Sequence, residues 1–161
     1  MKIAFLSFYS GQVDRGVEVA VEALASRLAK FHQVSVIQSG NRNLPDDSGS
    51  SPPQVPKIIK IQVEEKWPED SSSSWLRLFY LDYYSRKIFR FTLKFLTFFF
   101  KARFDIVIPT NGGWQVVIVR LVTWMTGKKM VVQGNAGIGR DDLWQLCIYP
   151  NLFIAISPAG Y

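Results

Sequence analysis

The sequence predicts a doubly wound α/β domain built on a mainly parallel sheet, and three observations carry that prediction. Short apolar runs recur at residues 3–6, 34–37, 105–109, 129–133 and 152–156, as expected of strands buried on both faces. Helical periodicity or turn-rich sequence fills the intervals between them. The chain also opens with a strand, a glycine-bearing loop, a helix and a second strand, a unit whose helical crossover makes the two strands parallel. Such a sheet gathers its loops at the strands' carboxyl ends, which is where a ligand crevice forms.

Taken in order, Ile3-Ala4-Phe5-Leu6 is the first strand. Val17, Ala20, Val21, Leu24, Leu28 and Phe31 then fall on one helical face, with Arg27 and Lys30 in the last turns, where cations suit the helix dipole. Residues 39–56 form a turn-rich, low-complexity loop expected to be mobile, and the serine-rich stretch 68–74 is a second one. Between them, residues 57–63 alternate well enough to make a third strand. Residues 75–104 read as one long helix. Residues 114–126 read as another, stopped by Gly127. A short helix over 141–147 precedes the last strand. Sequence stops soon after that strand, before any helix that would cover it. The expectation is a single domain over residues 1–161 that is the front part of something longer, or one whose exposed face a partner covers.

A chain of 161 residues, 48% of them hydrophobic, has enough apolar sequence for a substantial core, which argues against disorder. Cys147 is the only cysteine, so no intrachain disulfide can form; a reducing compartment and a buried, inert thiol are expected. No secretory signal follows Lys2, because Asp14, Arg15 and Glu18 come too soon. Nor does any uncharged apolar run approach the roughly 20 residues of a spanning helix. A cytoplasmic protein is expected, either soluble or peripheral at the inner membrane face.

The net charge of +6 is concentrated in residues 75–104, where seven cations face Asp82 alone. On a helix at roughly 100° per residue, Arg86, Lys87, Arg90, Lys94 and Lys101 form one stripe, and Phe89, Phe91, Phe95, Phe98 and Phe99 lie off it. Two readings stay open. The aromatic side packs on the sheet beneath a solvated stripe, or the helix meets an anionic bilayer through Arg86, Arg90 and Lys94. No fold signature or base-reading set accompanies the stripe, so nucleic acid is not expected as a partner.

Three loops at the predicted carboxyl edge are candidate sites. The loop holding Gly11 and Gly16 precedes a helix whose positive end favours an anion, and glycine lets backbone amides come close to phosphate. A turn and a helix start would explain the same glycines. It is no dinucleotide fingerprint: Gly-x-Gly-x-x-Gly is absent, and Gln38 and Ser39 stand where a ribose-binding acid would end the second strand. A nicotinamide cofactor is not expected on that ground. The second loop runs from Gly134 to Gly139 and is followed by Arg140; Asn135, Gly137 and Arg140 are its candidate ligand groups, set against a structural turn with Asp142 capping the next helix. Asn111, followed by two glycines, marks the third. His32 is the only histidine and sits at a helix-to-strand turn, so neither a histidine metal cluster nor a Ser-His-Asp triad is available.

These motifs together resemble the amino-terminal domain of glycosyltransferase family 4. The family pattern is a Gly-Gly-x-Glu loop, a helix with Leu-Ala-x-x-Leu and a Gly-His-Glu-Val turn. Here Arg15-Gly16-Val17-Glu18, Leu24-Ala25-x-x-Leu28 and Phe31-His32-Gln33-Val34 stand in their places, with Arg15 and Phe31 replacing glycines. Asp105-Ile106-Val107 and Phe153-Ile154-Ala155-Ile156-Ser157 match two further family strands.

The resemblance implies one half of a two-domain GT-B enzyme that transfers sugar from a nucleotide-diphosphate sugar with retention of configuration, with no cofactor or metal. It places Gly11 and Gly16 opposite the donor phosphates, and Asn111, Asn135, Gly137 and Arg140 on the acceptor side. Asn135 stands where many members carry a histidine, and an amide is no general base. The donor-binding carboxyl-terminal domain, with its Glu-x7-Glu motif, is not in this sequence and would come from further sequence or a separate chain. The acceptor would be lipid-linked or a polysaccharide precursor, and this chain alone would be inactive. The alternatives are a non-catalytic membrane-docking subunit that recruits a donor-binding chain, and a nucleotide-binding protein of unrelated chemistry.

Overall fold

The structure, a computed structural model, describes residues 1–13, 16–40, 55–64, 74–134 and 140–155. Six strands form the sheet: β1 (Lys2–Leu6), β2 (Gln33–Ser39), β3 (Lys57–Ile61), β4 (Ile106–Pro109), β5 (Lys129–Gly134) and β6 (Leu152–Ala155). They lie in the order β3-β2-β1-β4-β5-β6, and every neighbouring pair is parallel. The predicted fold class holds. Sequence direction reverses between β1 and β4, which places the topological switch point there.

Period-two alternation divides each strand between the two faces. Ile3, Phe5, Val34, Val36 and Ile108 face helix α1 (Gly16–Ala29), meeting Val21, Ala25 and Ala29. Leu6, Ile37, Val107, Met130 and Val132 face the other way, onto α3 (Tyr83–Ala102) and α4 (Trp114–Met125). Phe91, Phe95 and Phe99, four residues apart on α3, are 0%, 1% and 3% exposed. Each removes about 1.5–3 kcal/mol worth of apolar surface from water, so the sheet takes up the core of the aromatic side of α3.

Two expectations about helices are corrected. The single helix over 75–104 is two, α2 (Ser74–Leu78) and α3, broken at residues 79–82. Leu81 N–H bonds Leu76 C=O at 2.7 Å and Tyr80 N–H bonds Arg77 C=O at 3.3 Å, the paired closure of a Schellman turn with Tyr80 at φ 54°. Asp82 then starts α3: its C=O accepts from Arg86 N–H, and its carboxylate accepts from the Ser85 hydroxyl. In α1 the buried face is Glu18, Val21, Ala25 and Ala29, with Leu24 and Leu28 half-buried. Phe31 lies past the helix end and is 81% exposed, because the chain has already turned toward β2.

α4 ends as predicted. Lys128 N–H bonds Thr123 C=O and Gly127 N–H bonds Trp124 C=O, with Gly127 at φ 67°. β3 stops at Ile61, two residues short of the expected strand, and β2 runs on to Ser39. Helix α5 (Arg140–Cys147) ends in an exposed thiol, which corrects the buried Cys147; Leu146 and Leu143 beside it are also exposed. No helix among the described residues is long and apolar enough to cross a membrane.

Candidate functional site

At the switch point the loops after β1 and β4 are stitched together. Thr110 N–H and its hydroxyl both donate to Leu6 C=O at 3.2 Å. Asn111 Oδ1 accepts from Phe8 N–H at 3.0 Å, and Asn111 N–H donates to Gln115 Oε1 at 2.9 Å. Asn111 therefore spans the crevice as a bridge between the two loops. Gln115 is fully buried in the first turn of α4, and its Nε2 has no partner.

The loop after β1 leans toward β2. Ser7 N–H bonds Ile37 C=O, Ser39 N–H bonds Phe8 C=O, and Gln12 Nε2 donates to Ser39 C=O. The Phe8 ring, edge-on to Phe91 at 5.4 Å, ties the same loop down to α3. Gly11 sits at φ 72°, and a Cβ there would stand 2.8 Å from Gln38 Nε2. The left-handed backbone favours glycine there, and a Cβ would require the Gln38 amide to shift. Gly16, by contrast, starts α1 with open space where a Cβ would go.

A cleft of about 610 Å³ opens on the α3 side of Gly11, over the carboxyl ends of β1, β2 and β3. Its polar lining includes Gln12, Gln38, Lys60, Glu64, Tyr84 and Lys87. Behind Gly11, on the α1 side, lies a smaller pocket of about 280 Å³ that Glu18 and Gln38 also line. Glu18 is 8% exposed and its Oε2 has no hydrogen-bond partner. Gln38 thus stands between two cavities, and Gly11 allows it to.

The cations of α3 divide into two sets. Arg90 donates to Glu64 C=O at 3.1 Å and Lys94 to Gln62 C=O at 2.7 Å, so both hold the segment that leaves β3. Lys87 lies over the Tyr83 ring at 4.3 Å. Lys60 rests its stem on Gly40. Neither of these two lysines makes an ion pair among the described residues; the one described pair joins Lys128 to Asp105 at the sheet's amino edge. His32 also lies at that edge, beside Lys2 and Asp105, away from the cleft.

Of the expected site residues, Gly11 reaches the cleft and Asn111 the switch point. Gly16 lines neither cavity. Asn135 and Gly137 lie outside the described residues, as does the side chain of Arg140, which opens α5. Gln38, Lys60, Tyr84 and Lys87 were not singled out as ligand groups. The available signal was positional, since in a parallel sheet the last residues of each strand gather at one edge. No group of three or more metal-ligating side chains occurs among the described residues. Among the described residues the cleft holds amides, phenols, ammonium groups and one exposed carboxylate, Glu64, a set suited chiefly to positioning a hydroxylated or charged ligand.

A parallel six-stranded sheet with its switch point between β1 and β4, and helices on either face, is a Rossmann-like doubly wound domain, the architecture of which each half of a GT-B fold is built. One solved structure that shows a likeness of fold is MurG from Acinetobacter baumannii, similar over 99% of this chain with a TM-score of 0.56 and 17% identity. The chain spans 42% of the length of that structure. No family model matches the chain, and no curated protein matches it. The likeness is to the GT-B fold and not to family 4 in particular.

Proposed function

We propose that this chain is the acceptor-binding half of a glycosyltransferase, related to family 4, that passes sugar from a nucleotide-diphosphate sugar to a lipid-linked or polysaccharide-precursor acceptor. A carboxyl-terminal donor-binding domain, or a separate partner chain, completes the enzyme. The observation that carries this reading is the cleft at the carboxyl edge of β1–β3, which has Gly11 in its wall and, among the described residues, no general base beyond one exposed carboxylate, Glu64. Glu64 Oε1 already accepts from Gln62 Nε2. A site of that kind binds and orients, leaving the donor and its leaving group to the opposite wall. Gly11 and Gly16 would face the donor phosphates, with the amino end of α1 adding a favourable dipole. Asn111, Asn135, Gly137 and Arg140 would meet the acceptor, and no cofactor or metal takes part.

The test is sugar transfer from a panel of nucleotide sugars, with and without a donor-binding domain or chain. Transfer only in the combined assay supports the reading. A complete second domain that binds no donor and transfers nothing sinks it.

A second reading, a non-catalytic subunit that docks at an anionic membrane and recruits the donor-binding chain, is favoured by one feature. Trp75, Leu78, Phe79 and Leu81 are 72%, 50%, 57% and 44% exposed at the α2–α3 corner, near Arg77 and Arg86. Sedimentation with anionic and neutral vesicles separates the cases. Loss of binding on neutralising Arg86, Arg90 and Lys94 supports docking through the stripe, and unchanged binding refutes it.

A further inference from the structure

The pocket of about 280 Å³ behind Gly11, between α1 and the β2–β3 edge of the sheet, is chemically unlike the cleft. Its described lining carries two carboxylates, Glu18 and Glu22, and no cation, in a chain whose net charge is +6. Ser10, Ser26 and Gln38 complete the polar set. The rest is aliphatic. Val21, Ala25 and Val36 are buried and make the floor, while Val19, Val55 and Ile58 are about half exposed and make the rim.

Local structure explains why an acid stands there. Glu18 lies in the first turn of α1, where the helix dipole favours negative charge. It shares a buried face with Val21, Ala25 and Ala29, so packing α1 on the sheet carries its side chain inward. Glu22 stands one turn further along, near enough for both side chains to act on one ligand, and it stays exposed.

The inward turn leaves Glu18 short of a partner. It is 8% exposed, and its Oε2 has no hydrogen-bond partner. A carboxylate withdrawn from water without a donor is costly, and the helix dipole offsets only part of that cost. The last torsion of a glutamate is broad and two-fold, so either oxygen can be brought to face the pocket. A charged donor entering the pocket supplies the missing bond in its strongest form. The walls say what that donor is attached to. A metal ion calls for about six oxygen ligands and gains nothing from Val21, Val36 and Ile58. An alkyl stem, by contrast, removes their surface and its own from water.

We infer that this pocket binds a small aliphatic amine, its ammonium on Glu18, its stem against Val36 and Ile58, and Glu22 adding negative charge at the mouth. The volume lies just below the range of about 300–1,000 Å³ usual for small-molecule sites, which keeps the ligand small. The site is separate from the acceptor reading of the cleft and stands or falls without it.

The probe is n-butylammonium chloride, titrated into the full chain at neutral pH and constant ionic strength and followed by amide chemical shifts. The controls are 1-butanol, which has the stem without the charge, and ammonium chloride, which has the charge without the stem. n-Butylammonium should move the Val19, Val36 and Ile58 backbone amides and the Gln38 side-chain amide along one saturable curve, and bind about tenfold tighter than either control. Glu18→Gln keeps the shape and removes the charge, and should weaken binding about tenfold, the loss of one charge-assisted hydrogen bond. Glu22→Gln should weaken it about threefold, as an exposed charge does. Ile58→Lys sets a like charge at the rim and should abolish the shifts. Glu22 and Ile58 are exposed positions, so their variants read the site even where Glu18→Gln disturbs the fold, which unchanged dispersion of the spectrum checks. The proposal is overturned if n-butylammonium gives no saturable shifts, or if 1-butanol or ammonium chloride binds as tightly. It is overturned too if a folded Glu18→Gln, or Ile58→Lys, binds n-butylammonium as tightly as the parent chain. Sugar transfer is read in a different assay, and its failure leaves this site untouched.

Discussion

The two faces of the sheet are built to different standards. Against one, α3 and α4 drive large side chains, Phe91, Phe95 and Phe99 among them, into contact with Leu6, Val107, Met130 and Val132. Against the other, α1 offers Val21, Ala25 and Ala29, and it is the only described helix in that core. Its small residues let it lie close over β1 and β2, but it does not reach β6, where Leu152 and Ile154 are 54% and 40% exposed. Parallel sheets are ordinarily covered on both faces. One face therefore holds the larger core, and the other combines a smaller core under α1 with exposed apolar surface at β6.

The comparison can be broken most directly in the core. Phe95→Ala should cost about 3–5 kcal/mol, the usual range for a buried aromatic truncated to alanine, whereas Leu28→Ala on the half-buried rim of α1 should cost less than half as much. Urea unfolding measures both, and equal losses would erase the distinction between the faces. Next comes the carboxyl end of the α3 and α4 face. Gly113 sits at φ 66°, and a Cβ there would lie 2.7 Å from the Tyr80 ring. Gly113→Ala should lose about 1–3 kcal/mol; adding Tyr80→Ala should relieve the clash but not the backbone strain, which thermal unfolding of both variants would separate.

On the thinly covered face, Ile154→Thr should change stability by no more than about 0.5 kcal/mol in urea unfolding. A large loss of stability would mean the face is already filled. The smallest effect is expected at the amino edge. Asp105 accepts from the Lys2 N–H at 2.9 Å and pairs with Lys128, and these hold its carboxyl below its ordinary value of 3.8. A lowered folded pKa gives stability that is present above the unfolded value and is lost as pH falls through the folded one. Asp105→Asn should flatten that acid-side dependence slightly and leave neutral-pH stability nearly unchanged, as acid titration followed by circular dichroism would show.

Much of this architecture is legible in the sequence. The strand runs, the α1 and α4 periods and the Gly127 stop are local patterns, and the structure keeps each within a few residues. Other features are not local. The α2–α3 break depends on Tyr80 holding a left-handed backbone, which a tyrosine adopts at a cost; its ring recovers that cost against Gly113 and Trp144, residues more than thirty positions away. Phe31 and Cys147 were assigned to the interior from apolar type, but each lies at a helix end that the packing leaves exposed. In the cleft, Gly11 was visible as a glycine before a helix. Lys60 and Lys87 read only as surface charges, because their lining one cleft depends on α3 packing against β3.

The sequence by itself determined the parallel α/β class, the carboxyl edge as the place for a site and the +6 concentration in residues 75–104. Periodicity and composition suffice there, because strands, helices and charge clusters are written in neighbouring residues. Only the tertiary structure decided how that charge is used. Arg90 and Lys94 are spent on carbonyls, Lys60 and Lys87 are turned into the cleft, and the apolar corner stays outside. The physical reason is that a cation's role depends on which acceptor its stem can reach, and that is fixed by packing between segments distant in the chain.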